Sequence, residues 1–169
     1  MERDGRQQIV DQVAYLLDEV AALKGVLHAV PEELLQAQPY PGEPSVRELF
    51  EMLAAREAGV RARNVERILS GGEDVVLETN PLPLDPEEAS SRTTVEVLDD
   101  LESARSRLVD RLSQCGSSAW RVVAAYDGKQ VNLEDYLYGL IQEDVAVLQT
   151  AARRIHESRP TRSPGFTSR

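Results

Sequence analysis

The sequence predicts an all-α fold, a four-helix bundle with a long crossing loop between its second and third helices. Three observations predict it. Apolar residues recur at helical spacing in four separate stretches, two of those stretches open on a capping box, and no alternating apolar run is long enough to build a sheet. At 169 residues the chain suits one core rather than two, so residues 1–156 are expected to form one bundle domain and residues 157–169 a flexible tail.

The first helix is expected over residues 6–30, where Ile9, Val13, Leu16, Leu17, Val20, Leu23, Leu27 and Val30 line one face and Pro31 ends the run. Pro31 also suits the start of a short turn through Gln36. Residues 39–44 hold three prolines and Gly42 and read as a connector. Ser45 followed by Glu48 is a capping box: the hydroxyl accepts from a free N–H of the first turn while the carboxylate reaches back. The second helix follows, with Val46, Leu49, Leu53, Val60, Ile68 and Leu69 inward and Gly71 and Gly72 past its end. Residues 73–92, with Pro81, Pro83 and Pro86, form the crossing loop, with a short turn expected after Asp85.

Thr93 and Glu96 repeat the capping box and open the third helix, whose stripe is Val97, Leu98, Leu101, Leu108 and Leu112. Residues 115–118 break the pattern, and residues 120–131 form an irregular approach with a turn at Asp127-Gly128. Asn132 then caps the fourth helix, carried by Leu133, Leu137, Leu140, Ile141, Leu148, Ala151 and Ile155 and fading near His156. The short apolar runs at residues 75–77 and 122–125 are read as too brief for a sheet.

A hydrophobic fraction of 41% and a charged fraction of 28% are those of an ordinary globular protein. No apolar run approaches the roughly 18–20 residues that span a bilayer, and the opening residues lack the apolar core of a signal peptide. Cys115 is the single cysteine, so no internal disulfide is possible. A cytoplasmic protein without membrane contact is the expectation. The formal net charge of -10 repels phosphate backbones, which argues against nucleic-acid binding. The tail is locally basic through Arg159, Arg162 and Arg169; a disordered end is expected, with a weak electrostatic contact as the alternative.

Ser45-Val46-Arg47-Glu48-Leu49 running to Leu53-Ala54-Ala55-Arg56-Glu57, with Trp120, the turn at Gly128 and the helix through Leu133, Leu137 and Glu143-Asp144, resembles the DinB-like superfamily, which includes relatives of mycothiol-dependent enzymes. In that pattern a tryptophan precedes the serine and a histidine stands just ahead of the Leu-Ala pair. A later His-Asp is followed by another histidine four residues after the first. Here Pro44, Met52, Glu143 and Val147 occupy the tryptophan and the three histidine positions, while Glu57 and Asp144 agree. The resemblance implies a four-helix bundle, pairing of two copies through helix faces, a stress-response association and, in active relatives, hydrolase or thiol-transferase chemistry at a three-histidine metal site.

That site cannot be assembled from this chain. Catalytic zinc or nickel takes about three protein ligands, mostly imidazole or thiolate, and only His28, His156 and Cys115 offer such atoms. With Met52 and Val147 apolar, the expectation is a metal-free, cofactor-free bundle whose former pocket is filled with hydrocarbon, acting as a binding or stress-response-associated protein, with a small-molecule ligand and a homodimeric state in view. The alternative is an enzyme with a carboxylate-lined pocket between the second and fourth helices. Glu51, Glu57, Glu143 and Asp144 lie there, and Glu57, Glu143 and Asp144 are its candidate acid/base or cation-binding residues. Buried carboxylates need partners, so a purely structural pairing with Arg56, Arg61, Tyr136 or Tyr138 stands beside the catalytic reading.

Other signatures are absent: no phosphate loop, dinucleotide fingerprint, nucleophile elbow, Glu-x-x-His or His-Glu-x-x-His. Cys115 follows a helix end, where the dipole disfavours a thiolate, and Trp120 reads as a packing anchor.

Overall fold

The computed structural model describes residues 3–79 and 92–158. Helix α1 spans Arg3–Leu27 and the short α2 spans Glu32–Gln36. The second long helix is built from α3 (Val46–Arg56), a π-helical turn (Glu57–Arg61) and α4 (Ala62–Ser70). Strand β1 (Val75–Val76) follows, then α5 (Thr94–Ser113), a 3-10 turn (Ala119–Arg121), β2 (Ala124–Tyr126), β3 (Lys129–Val131) and α6 (Leu133–Ser158).

Both capping boxes form. The Ser45 hydroxyl accepts from the Glu48 N–H at 3.1 Å while the Ser45 N–H donates to Glu48 at 2.6 Å, and Thr93 and Glu96 repeat the exchange. Helix α1 stops at Leu27, short of the expected residue 30, because the N–H groups of Ala29 and Val30 turn back to Val26 and Leu27 before Pro31. The fourth helix runs two residues past His156, to Ser158. The turn expected after Asp85 and the tail at residues 159–169 lie outside the described residues.

The reading that no sheet forms is corrected. A three-stranded sheet pairs β1 with β2 in parallel and β2 with β3 antiparallel. Its strands are two or three residues long, too short to show alternation, and the hairpin closes through Asp127 and Gly128, both at positive φ (48° and 72°) as a two-residue hairpin turn requires.

The clusters of buried side chains fix how the helices run. One holds Ile9 and Val13 from the start of α1, Val65 and Ile68 from α4, Leu108 and Leu112 from the end of α5, and Leu133, Leu137 and Leu140 from the start of α6. The other holds Leu16, Val20 and Leu27; Val46, Phe50 and Leu53; Val97, Leu98 and Leu101; and Ala151 and Ile155. Helices α1 and α6 therefore run parallel, and α3–α4 and α5 run opposite to both. The chain leaves α4 at one end of the bundle and begins α5 at the other, which is why the connection between them must be long. The small sheet, with Ala124, Val75 and Val131, covers the end where α4 finishes. Trp120 is buried there as a packing anchor, as expected. Among the described residues no helix is long and apolar enough to cross a membrane.

Candidate functional site

Between the two apolar clusters lies one ionic layer. Along α3–α4 the buried residues include Leu53, then Glu57 and Arg61, then Val65; along α5 they include Leu101, Arg105 and Leu108; along α6 they include Leu140, Asp144 and Ala151. The charged residues sit on the same inward stripes as the leucines, about one helical turn on. The π-helical turn places Glu57, Val60 and Arg61 all inside. Such insertions occur often at functional sites.

Arg105 is fully buried. Its Nε and Nη2 grip the Glu57 carboxylate as a fork at 2.5 and 2.9 Å, Nη2 also donates to Asp144 Oδ2 at 2.9 Å, and Nη1 donates to the Val13 carbonyl at 2.9 Å. Arg61 completes the layer from the other side: Nη1 donates to Glu57 Oε2 at 3.1 Å and to Asp144 Oδ1 at 2.7 Å, and Nη2 to Glu143 Oε2 at 2.8 Å. Burial works against the charge on Arg61, but the Asp144 and Glu57 carboxylates and the hydrogen bonds to Glu143 and Asp144 outweigh it and raise its pKa above the ordinary guanidinium value. Two buried anions thus face two buried cations with every carboxylate oxygen filled.

The sequence brought Glu57, Glu143 and Asp144 forward as candidates, and the fold does place them together. Glu143 differs from the other two: it is 49% exposed and lines a cleft of about 150 Å³. Arg56, 28% exposed, comes to 4.0 Å from Glu143. Tyr126 and Tyr136 meet edge to face in the cleft wall, with ring centroids 5.6 Å apart. Burial is the first cause raising the pKa of both phenols; Tyr136, whose oxygen accepts from Asn64 at 3.1 Å, is pushed up to about 12. Glu51 is not part of this group: it pairs with Arg47 at 2.9 Å, one turn away on α3. Tyr138 is exposed.

The expectation that hydrocarbon fills the space between the second and fourth helices is corrected: the four ionic side chains occupy it. Met52 is only half-buried, and Val147 is half-buried against the neighbouring apolar cluster. Arg105 was not singled out from the sequence, although its spacing from Leu101 and Leu108 put it on the inward stripe. A metal ion does not fit this arrangement. Both oxygens of Glu57 and both of Asp144 already accept from guanidinium groups. His28 and His156 are exposed at helix ends, and among the described residues no three His, Cys, Asp or Glu side chains gather as ligands. Cys115 is half-buried just past α5.

The fold is similar to that of YfiT from Bacillus subtilis, described as "a probable metal-dependent hydrolase with an unusual four-helix bundle topology", with a TM-score of 0.66 and 12% identity over 92% of this chain and 90% of that one. At that identity the likeness is one of fold. No family model and no curated protein sequence matches the chain.

Proposed function

We propose that the protein is a DinB-like bundle in which guanidinium groups have taken the place of a metal ion, and that it works as a binding protein rather than a metal-dependent enzyme. One observation carries this reading: Arg61 and Arg105 together fill all four oxygens of Glu57 and Asp144 at 2.5–3.1 Å. A fixed guanidinium supplies permanent positive charge, as a bound cation does, but offers no open coordination position for a water nucleophile. The resemblance of residues 45–57 and 133–144 to the DinB-like pattern and the fold shared with YfiT support the superfamily part of the reading. Elemental analysis of the full chain, after equilibration with zinc, nickel and manganese and dialysis, is expected to find metal far below one ion per chain. One equivalent of a transition metal retained would overturn the proposal.

A second reading has one observation in its favour. Glu143 is the carboxylate of the three that reaches solvent, and it lines the cleft beside two phenols. A hydrolase or thiol-transferase working there without metal would use Glu143 as its acid/base group. Glu143→Ala would then abolish turnover, and an unchanged rate would remove this reading.

A further inference from the structure

The cleft beside the ionic layer holds an arrangement that a purely structural ion network does not need. Glu57 and Asp144 balance Arg61 and Arg105 charge for charge. Arg56 and Glu143 are a third, looser pair on top of them: the two side chains approach only to 4.0 Å, and among the described residues the Arg56 guanidinium makes no hydrogen bond. Glu143 reaches one Nη of Arg61 from the surface of α6 with half of its side chain in water. It is therefore the one carboxylate of the group that can swing out without leaving a buried charge behind. Leaving, it would uncover the edge of Arg61 beside Arg56, both of which line the cleft.

We infer that this cleft binds a small monocarboxylate with a compact aromatic or apolar body, its carboxylate replacing that of Glu143 against Arg56 and Arg61. This rests on the reading of the bundle as a binding protein. The size fits: the cleft measures about 150 Å³, and an apolar cavity of roughly that volume holds a benzene ring. So does the wall chemistry. Val60, Leu140 and the Tyr126–Tyr136 pair offer apolar and aromatic surface next to two guanidinium groups, the pairing of an apolar wall with a few convergent polar groups that marks small-ligand sites. The charge selects a monoanion. One carboxylate entering as Glu143 leaves restores the counter-charge of Arg56, whereas a dianionic phosphate would bring a second negative charge into a cleft that Asp135 also lines.

Calorimetric titration of the full-length protein with sodium benzoate and phenylacetate tests this, with benzyl alcohol and inorganic phosphate as the uncharged and dianionic controls. Saturable binding of the carboxylates is expected, at least about tenfold weaker with Arg56→Ala, as one lost charge-assisted contact implies. Glu143→Gln removes the internal competitor and is expected to tighten binding several-fold, a gain that a merely structural role of Glu143 does not produce. Both substitutions lie on partly exposed side chains, and circular dichroism checks their folding. Absence of carboxylate binding, benzyl alcohol or phosphate binding as well as benzoate, or weaker binding with Glu143→Gln overturns the proposal. Metal content measured on the same preparation separates the two readings. Bound metal defeats the metal-free reading whatever benzoate does, and failure to bind benzoate in metal-free protein defeats only this one.

Discussion

Leu101 and Arg105 lie one turn apart on the same helix, both fully buried, and they are held by opposite physics. Leu101 shares an apolar cluster with Phe50, Leu53 and Leu98, where burial itself stabilises and any side chain of similar volume and shape is nearly as good. Arg105 faces Glu57, Asp144 and the Val13 carbonyl, where burial is costly and is offset only because each donor has an acceptor in place. The apolar layer tolerates exchange and specifies little. In the ionic layer each buried charge depends on the others, so removing one leaves an opposite charge short of its partner.

One substitution made at both positions gives the largest expected contrast. Arg105→Met keeps most of the volume but leaves Glu57 and Asp144 short of their shared partner, and it is expected to destabilise by about 3–5 kcal/mol. Leu101→Met, one turn away, is expected to cost less than about 1.5 kcal/mol. Urea unfolding of the two variants measures the difference. Equal losses would break the comparison and mean that the layer is not held by its charges.

The same contrast explains what could be read from the sequence. The four helices, their caps and the crossing loop were legible because leucine and valine at 3.6 spacing and Ser-x-x-Glu report local physics. So was the pairing need of Glu57 and Asp144, which fall between leucines on inward stripes. Arg105 sits on an equally regular stripe, Leu98, Leu101, Arg105, Leu108 and Leu112, yet an arginine there reads as a break in the apolar pattern until its partners on other helices are known. The π-helical turn leaves no trace in Glu57-Ala58-Gly59-Val60-Arg61, a stretch whose residue types suit an ordinary α-helical turn as well. The sheet was missed because strands of two and three residues are specified by the hairpin at Asp127-Gly128 and by their place over the bundle end rather than by alternation.

Replacing the whole layer sharpens the point in the other direction. The variant carrying Glu57→Leu, Arg61→Met, Arg105→Met and Asp144→Leu has no orphaned charge. It is expected to match the wild type or exceed it by about 1–4 kcal/mol, since buried ion networks are often no more stabilising than hydrocarbon of equal volume. Such a variant is expected to fold and to lose benzoate binding together with Arg61. A fold that survives with binding gone assigns the layer to function. A quadruple variant that binds benzoate as well as the wild type would detach the cleft from the layer.

The smallest effect tests how far the layer's surroundings stay dry. Tyr136 belongs to the apolar cluster yet lines the cleft, and burial pushes its pKa from the ordinary 10.0 up to about 12. Below pH 10 the phenol is protonated in both the folded and the unfolded chain, so its contribution is fully present there. Between about 10 and 12 the unfolded chain has lost the proton while the folded chain keeps it, so stability falls as pH rises, and the decline ends once the folded phenol ionises near 12. Tyr136→Phe should flatten that alkaline decline while costing only about 0.5–1.5 kcal/mol at neutral pH, the worth of the hydrogen bond from Asn64. The difference in absorbance at 295 nm between the wild type and Tyr136→Phe, followed through an alkaline titration, isolates the same event among the five tyrosines. If Tyr136 ionises near 10, water reaches the cleft wall freely, and the low-dielectric setting that lets Arg56 and Arg61 hold a carboxylate is missing.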